Sequence, residues 1–443
     1  MVDLLSIPEL ASLDTLRDVI RIPPGTDIPI TPRVRQLIDC REFQRLTRIR
    51  QLGLVGLVYP AAHHTRFEHS LGVYRTALEY LRQLRHDQRF ASAVGAHDAE
   101  VFLVAALLHD LGHWPYCHPI EDMALPGVPQ HEMFANSFLL EGEIADALRD
   151  EWHIQPREVV DLLSAKPRDR AARILKSMLS GPIDIDKMDY LFRDSLHAGV
   201  PYGQHFDRNR LIGSLCLNRG GDRLAITHKG RTAAELMVFA RYVMFSEVYW
   251  HHAVRSATAM WQRAFFLLHA QLDLDELFRA DEWEMVRSLQ AAAEGGPAAD
   301  LLDGLFGPTR QLYKRLREFH YLQDPQMHQA LARRPYRQLV ACSDLLADRL
   351  SQQIGRRIAP HEIVIDAPPV GLEVEFDLDI FVPKEDRYYT LADLSPVVQT
   401  LAQRQFDDYV KRVRIFVHPR LRTDLEREPS LESHLRAVLD ELD

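Results

Sequence analysis

The chain is predicted to be mainly α-helical, with a smaller α+β lobe at its C-terminal end. Three observations carry that prediction. Apolar residues recur at helical spacing through most of the first 290 residues, as in Leu71, Tyr74, Leu78 and Leu81. One short hairpin signal interrupts the helices, where RLIGSLCLN and DRLAITHKG flank Arg219-Gly220-Gly221. Beyond AAAEGGPAAD at Ala291 the texture changes: HEIVIDAPP, FDLDIFVP and KRVRIFVHP read as strands, with helical segments at LADLSPVVQTLAQRQF and in the acidic tail. Residues 1–290 are therefore expected to form one helical core, and residues 291–443 a C-terminal helical and α+β lobe without a catalytic constellation of its own.

In chain order, the first segment with chemistry is HHTRFEHSLGVYRTALEYLRQL from His63, a helix carrying Arg66, Glu68 and His69. His63 and His64 read as surface or loop residues. Next comes LVAALLHDLGHWPYCH at Leu103. An apolar helix stops at the adjacent His109-Asp110 pair, Gly112 supplies the stop, and His113 and His118 follow in the loop. In IDIDKMDYLFRDS from Ile183, a helix places Asp186, Tyr190 and Asp194 at i, i+4 and i+8 on one face. Asp189 and Arg193 read as a solvated i, i+4 ion pair. A further helix begins near Arg231 and carries Tyr242, Phe245, Tyr249 and Trp250; His251 reads as partly buried.

His69, His109, Asp110 and Asp186 together offer two imidazoles and two carboxylates. Such a set suits an octahedral divalent cation with two positions left for water and substrate. Manganese, iron or zinc fit the mixed nitrogen and oxygen donors, with magnesium where more oxygen is supplied. No CxxC pair or HExxH helix competes.

The ordered motifs RFEHSLG, LLHDLGHWPYCH and DIDKMDYLFRD resemble the HD-domain phosphohydrolases. They resemble most closely the deoxynucleoside triphosphate triphosphohydrolases, including the animal enzyme that fuses a sterile-alpha-motif domain to its HD domain. The resemblance implies that His69, His109, Asp110 and Asp186 bind the metal. It implies that His113, His118 and His131 surround the reacting phosphate, His118 as proton donor, with Glu121 where the animal enzyme has an orienting aspartate. Arg66 and Lys187 match phosphate contacts. Gln51, Leu52, Tyr190 and Asp194 match positions lining the sugar, and Tyr249 one near sugar and base. The implied reaction is water attack on the α-phosphorus of a deoxynucleoside triphosphate, releasing deoxynucleoside and tripolyphosphate, with magnesium accompanying the triphosphate. A homo-oligomer, dimer or tetramer, is implied as well.

The animal relative also binds guanine nucleotides at a regulatory site. Asp39 and Gln44 occupy its first two positions here, but Thr47 stands where the relative has an arginine. Arg45, Arg48 or Arg50 are candidates to compensate. Two rival functions are an HD-type phosphodiesterase on single-stranded or cyclic nucleotides, and a nucleotide-sensing protein with a vestigial site. The full ligand set argues against the second.

Composition agrees. The 443 residues are 46% hydrophobic, enough for a large core, and the formal net charge is −10. That balance argues against nucleic acid as the main partner. The dense arginines from Arg33 to Arg50 fit either a helix face laced with salt bridges or an anion site. Cys40, Cys117, Cys216 and Cys342 are scattered, which fits a reduced, cytoplasmic setting. No signal peptide or membrane-length apolar run is present.

Overall fold

The computed structural model describes residues 4–15, 18–369, 377–403 and 410–442. Its frame is a helical bundle built on the segments that hold the motifs. Helix α1 (Arg66–Leu84) starts where the Thr65 hydroxyl accepts a hydrogen bond from the Glu68 amide, satisfying one of the free donors of the first turn. Leu71, Tyr74, Leu78 and Leu81 are fully buried, as their spacing requires. Helix α2 (Ala96–Leu108) is apolar on every side from Val101 onward and is buried accordingly. After a turn comes the short α3 (Cys117–Glu121). Helix α4 (Ile185–Ala198) is capped by Asp184, whose carboxylate accepts from the Lys187 amide at 2.7 Å. Helices α1, α2 and α4 pack together, so the C-terminal end of α2 and the N-terminal turns of α1 and α4 meet at one end of the bundle.

Helix α5 (Arg231–Met244) runs into a π-helical turn at Phe245–Tyr249, and α6 (His252–Leu268) follows. Helix α7 (Pro297–Phe306) packs along α6. Beyond it, helices α8 (Tyr336–Ile354) and α9 (Leu431–Leu442) enclose a second, smaller core.

Among the described residues, three small sheets complete the fold. Strands β1 (Val19–Ile22) and β2 (Thr26–Pro29) form an antiparallel pair that the sequence reading missed. The expected hairpin is present as β3 (Leu215–Leu217) and β4 (Leu224–Thr227). It is not isolated. Strand β5 (Lys314–Phe319) was also missed; it pairs with β9 (Val413–Val417), which pairs in turn with β6 (Ile363–Asp366). Strand β7 (Asp379–Val382) pairs parallel with β4 and antiparallel with β8 (Arg387–Thr390), making a four-stranded sheet of order β3-β4-β7-β8. LADLSPVVQTLAQRQF gives helices Leu391–Leu394 and Pro396–Gln403 joined at Ser395; residues 404–406 lie outside those described.

The larger core does not stop at residue 290. It takes in Leu301, Leu302 and Leu305 of α7, together with Ile380, Leu391 and Phe416. The glycine-rich stretch after Ala291 is a turn between two helices of one packed body. Among the described residues, no helix is long and apolar enough to cross a membrane.

Candidate active site

His69 sits in the first turn of α1, His109 caps the C-terminal end of α2 and is followed by Asp110, and Asp186 lies in the first turn of α4. Their polar atoms converge. His69 Nε2 is 3.0 Å from Asp186 Oδ1 and 4.0 Å from Asp110 Oδ2. His109 Nε2 is 3.4 Å from Asp110 Oδ1 and 3.8 Å from Asp186 Oδ1. The other ring nitrogens are engaged: His69 Nδ1 donates to Asp189 Oδ2 at 2.9 Å, and His109 Nδ1 to the Ala106 carbonyl at 3.0 Å. Those bonds leave both Nε2 atoms as lone-pair donors, and both are buried without a hydrogen-bond partner. Burial alone lowers the proton affinity of His69, but the carboxylates of Asp186 and Asp189 outweigh it and raise its pKa to about 10. A buried cluster this hungry for positive charge fits a divalent cation.

A bank of three more imidazoles stands beside this cluster. The rings of His113 and His131 are 3.9 Å apart, and His118 lies 5.1 Å from His113 and 5.5 Å from His131. Gly112 makes this possible, though not as the helix stop expected of it. A Cβ there would collide with the His131 carbonyl and the Ala135 backbone, so a side chain would push the His131 segment off the His109-Asp110 turn. Tyr116 enters α3 with φ +56°, a strained conformation for a residue with a side chain. Its ring packs on Trp261 and its hydroxyl donates to Glu282 at 2.9 Å, which hold it there. Glu121 grips His131 more closely than His118: it accepts from the His131 amide at 2.6 Å and from Nδ1 at 2.9 Å, and stands 3.5 Å from His118 Nδ1. Surrounding protein weakens the proton affinity of His118, but Glu121 more than compensates, and the pKa lies above the ordinary imidazole value. His113, buried and close to Arg66, is held well below it.

Two family models match this chain, the HD domain over residues 66–193 and the HD associated region over residues 206–431, which is half of the sequence. The chain belongs to the HD-domain phosphohydrolases. An uncharacterized protein of Methanocaldococcus jannaschii is 29% identical over 430 residues, 96% of this chain and 84% of that one. The deoxynucleoside triphosphate triphosphohydrolase SAMHD1 of Gallus gallus is 29% identical over 286 residues, covering 55% of this chain and 45% of that enzyme. A hypothetical protein from Aquifex aeolicus superposes with a TM-score of 0.69 at 25% identity, over 92% of this chain and 98% of its own.

In this HD-domain phosphohydrolase the residues around the two clusters are already engaged. Arg66 is buried and donates to Asp110 Oδ2 at 2.7 Å. Lys187 donates to Asp184 Oδ2 at 2.5 Å and to the Gly181 carbonyl. Asp194 is buried, accepting from the Tyr249 hydroxyl at 2.6 Å and facing His64 Nε2 at 2.9 Å. Tyr190 is partly buried one turn from Asp186. Gln51 donates its backbone N–H to the His64 carbonyl, its Oε1 is buried without a partner, and Leu52 follows, partly buried.

Two expectations need correction. His64 lies in a loop as expected but is no surface residue: it is 4% exposed, bonded to Asp194, and its ring stacks on that of His197 at 4.4 Å. The Asp189–Arg193 pair is not solvated either. Both residues are buried, two hydrogen bonds of 2.8 and 2.7 Å join them, and Asp189 also orients the metal-facing His69. Arg193 continues to Glu68 at 2.6 Å, which also bonds His197. A Cβ on Gly72 would collide with both Asp189 and Arg193. The signal for this buried relay was in the motif itself, where Glu68 adjoins His69 and Asp189 lies one turn after Asp186.

At the regulatory positions, Asp39 is exposed, Gln44 donates to the Ile38 carbonyl at 2.7 Å, and Thr47 turns back to the Gln44 carbonyl at 2.6 Å. The arginines considered as substitutes have other partners. Buried Arg45 donates to the carbonyls of Leu111 and His113, Arg48 faces Asp281, and Arg50 is bonded to Glu282. Of the two readings of this basic segment, the structure favours salt bridging for Arg33, Arg48 and Arg50.

Proposed function

We propose that this protein is a metal-dependent hydrolase of deoxynucleoside triphosphates, yielding deoxynucleoside and tripolyphosphate. The observation that carries the reading is the convergence of two unpartnered imidazole nitrogens and two carboxylates beside a separate bank of three histidines. The likeness to SAMHD1, whose name states that chemistry, supports it.

His69, His109, Asp110 and Asp186 would hold the cation, with manganese, iron or zinc as the fitting ions. A bound divalent ion there supplies water of lowered pKa and polarises the phosphoryl oxygens. His118 is the most open of the five site histidines, its side chain 60% exposed, and with its raised pKa it suits proton donation to the departing 5′-oxygen. Held neutral, His113 accepts or donates a hydrogen bond to the phosphate without adding charge; His131, fixed by Glu121, stands beside it. Arg66 steadies Asp110 and faces the triphosphate with Lys187. Tyr190 lies against the deoxyribose and crowds a 2′-hydroxyl, with Gln51, Leu52, Asp194 and Tyr249 completing the wall. The protein works as a cytoplasmic homo-oligomer.

The test is incubation with manganese and each of the four deoxynucleoside triphosphates in ¹⁸O-water, with product identification by chromatography and mass spectrometry. Tripolyphosphate carrying the label and an unlabelled deoxynucleoside are expected, and ribonucleotides should turn over poorly. Label-free tripolyphosphate, stepwise release of single phosphates, or equal turnover of ATP and dATP counts against the reading.

A further inference from the structure

Two overlapping sets of metal-ligating side chains lie next to the candidate metal centre but outside it. They are His113, Cys117 and His131, and His118, Glu121 and His131. In each set the ligand atoms, one per residue, all lie within 4.8 Å of one another. The first set contains a sulfur. Cys117 opens α3 and is 2% exposed, His113 is 4% exposed with its Nδ1 turned to Asp110 Oδ1 at 3.1 Å, and Gly112 lets the His131 segment close over them. Two imidazoles and a thiolate form a borderline-to-soft donor set. Glu121 or His118 stands ready as a fourth donor. Four such donors match the tetrahedral preference of zinc and cadmium, and a sulfur disfavours magnesium and manganese, which take oxygen.

We propose that His113, Cys117 and His131 form a second, thiophilic cation site, and that zinc or cadmium bound there silences the enzyme by occupying the histidines needed for turnover. The silencing rests on the proposed function; the binding does not. As the sulfur–metal bond forms, the Cys117 thiol passes its proton to the buffer, so each cation bound releases one proton and no oxidant or reductant is involved. Until a cation arrives, burial and the nearby Glu121 carboxylate keep the thiol protonated. The site therefore answers to soft cations rather than to alkylating reagents, which need a thiolate.

The experiment titrates manganese-loaded protein with cadmium chloride. It follows ultraviolet sulfur-to-cadmium charge transfer, bound cadmium by equilibrium dialysis, and turnover of a deoxynucleoside triphosphate. Wild type should bind one cadmium more than Cys117→Ser, show a charge-transfer band that the variant lacks, and lose turnover as that band grows. Cys117→Ser should keep manganese-supported turnover and resist cadmium by about a hundredfold or more, at least what the loss of a merely supporting partner costs a metal site. Cys117→Ala serves if the serine variant folds poorly. Equal cadmium stoichiometry and an equal band in wild type and variant, arising from Cys40, Cys216 or Cys342, would overturn the proposal. If wild type hydrolyses no deoxynucleoside triphosphate at all, the proposed function fails, while the Cys117-dependent band still decides the cation site.

Discussion

His118 and Asp189 show how differently two residues can serve one site. His118 is open to solvent at the edge of the histidine bank, so its contribution belongs to the moment of bond breaking. His118→Ala should lower kcat by about a hundredfold to ten-thousandfold with little change in KM, the pattern of a lost general acid. Steady-state kinetics at saturating manganese check this, and a raised KM with unchanged kcat would count against it. Asp189 never meets substrate in this reading; it fixes the ring of His69 from behind. Asp189→Asn should weaken manganese binding by about ten- to a hundredfold. Equilibrium dialysis on protein with native circular dichroism is the measurement, and wild-type affinity would refute the role. At this scale the motif residues were legible because each ligand type sits at a helix end or on a helix face that spacing alone defines. Burial was not legible. Asp189 and Arg193 at i, i+4 look the same in sequence whether solvated or sealed; in the fold both are buried, with Gly72 packed directly against them.

Among the elements, helices with continuous apolar stripes were read directly, because a 3.6-residue period survives in any window. The strands were harder. KRVRIFVHP holds the fully buried run VRIFV and announced β9, whereas its partner β5, KRLREF, is two-thirds charged. Its charges have partners across the sheet: Glu318 accepts from Arg412 at 2.8 Å and from Arg414 at 2.7 Å. Burial pushes the Glu318 carboxyl up, but Arg414 and Arg412 pull harder and bring its pKa down to about 2. A carboxyl whose folded pKa lies below its unfolded value stabilises the fold above the unfolded value and loses that contribution as pH falls toward the folded one. Glu318→Gln should therefore be less stable than wild type at neutral pH. The gap should narrow as pH drops from the ordinary 4.5 toward about 2. Urea midpoints across that range test it; a gap independent of pH would mean that the charge contributes nothing.

For the whole molecule, the sequence separated an N-terminal helical part from a C-terminal α+β part by texture. Texture does not reveal pairing between distant segments, and β4 of the first part pairs with β7 of the second. With Thr47 in place of an arginine, and Arg45, Arg48 and Arg50 engaged elsewhere, none of the three arginines nearest Thr47 stands free to replace it. Turnover of a single deoxynucleoside triphosphate should be measurable without GTP, and light scattering should give one mass with and without it. A strict GTP requirement for both would show that another group has taken the role.

The four candidate ligands come from positions 69, 109, 110 and 186, on or at the ends of three helices that meet only when the bundle closes. An unfolded chain cannot hold them together, so a cation recognises the finished fold and not its precursor. Occupancy and folding are then one equilibrium. At a free cation concentration a hundred times its dissociation constant, the native state gains about 2.7 kcal/mol. Melting temperature should climb with added manganese and fall back with chelator, in step with the logarithm of the free ion. Asp110→Ala, lacking one ligand, should show a far shallower climb in calorimetry, and an unchanged slope would detach the cluster from metal binding. Read this way, the resting protein is a thermometer for the ion it holds: scarcity of metal would first loosen the bundle, before any substrate arrives.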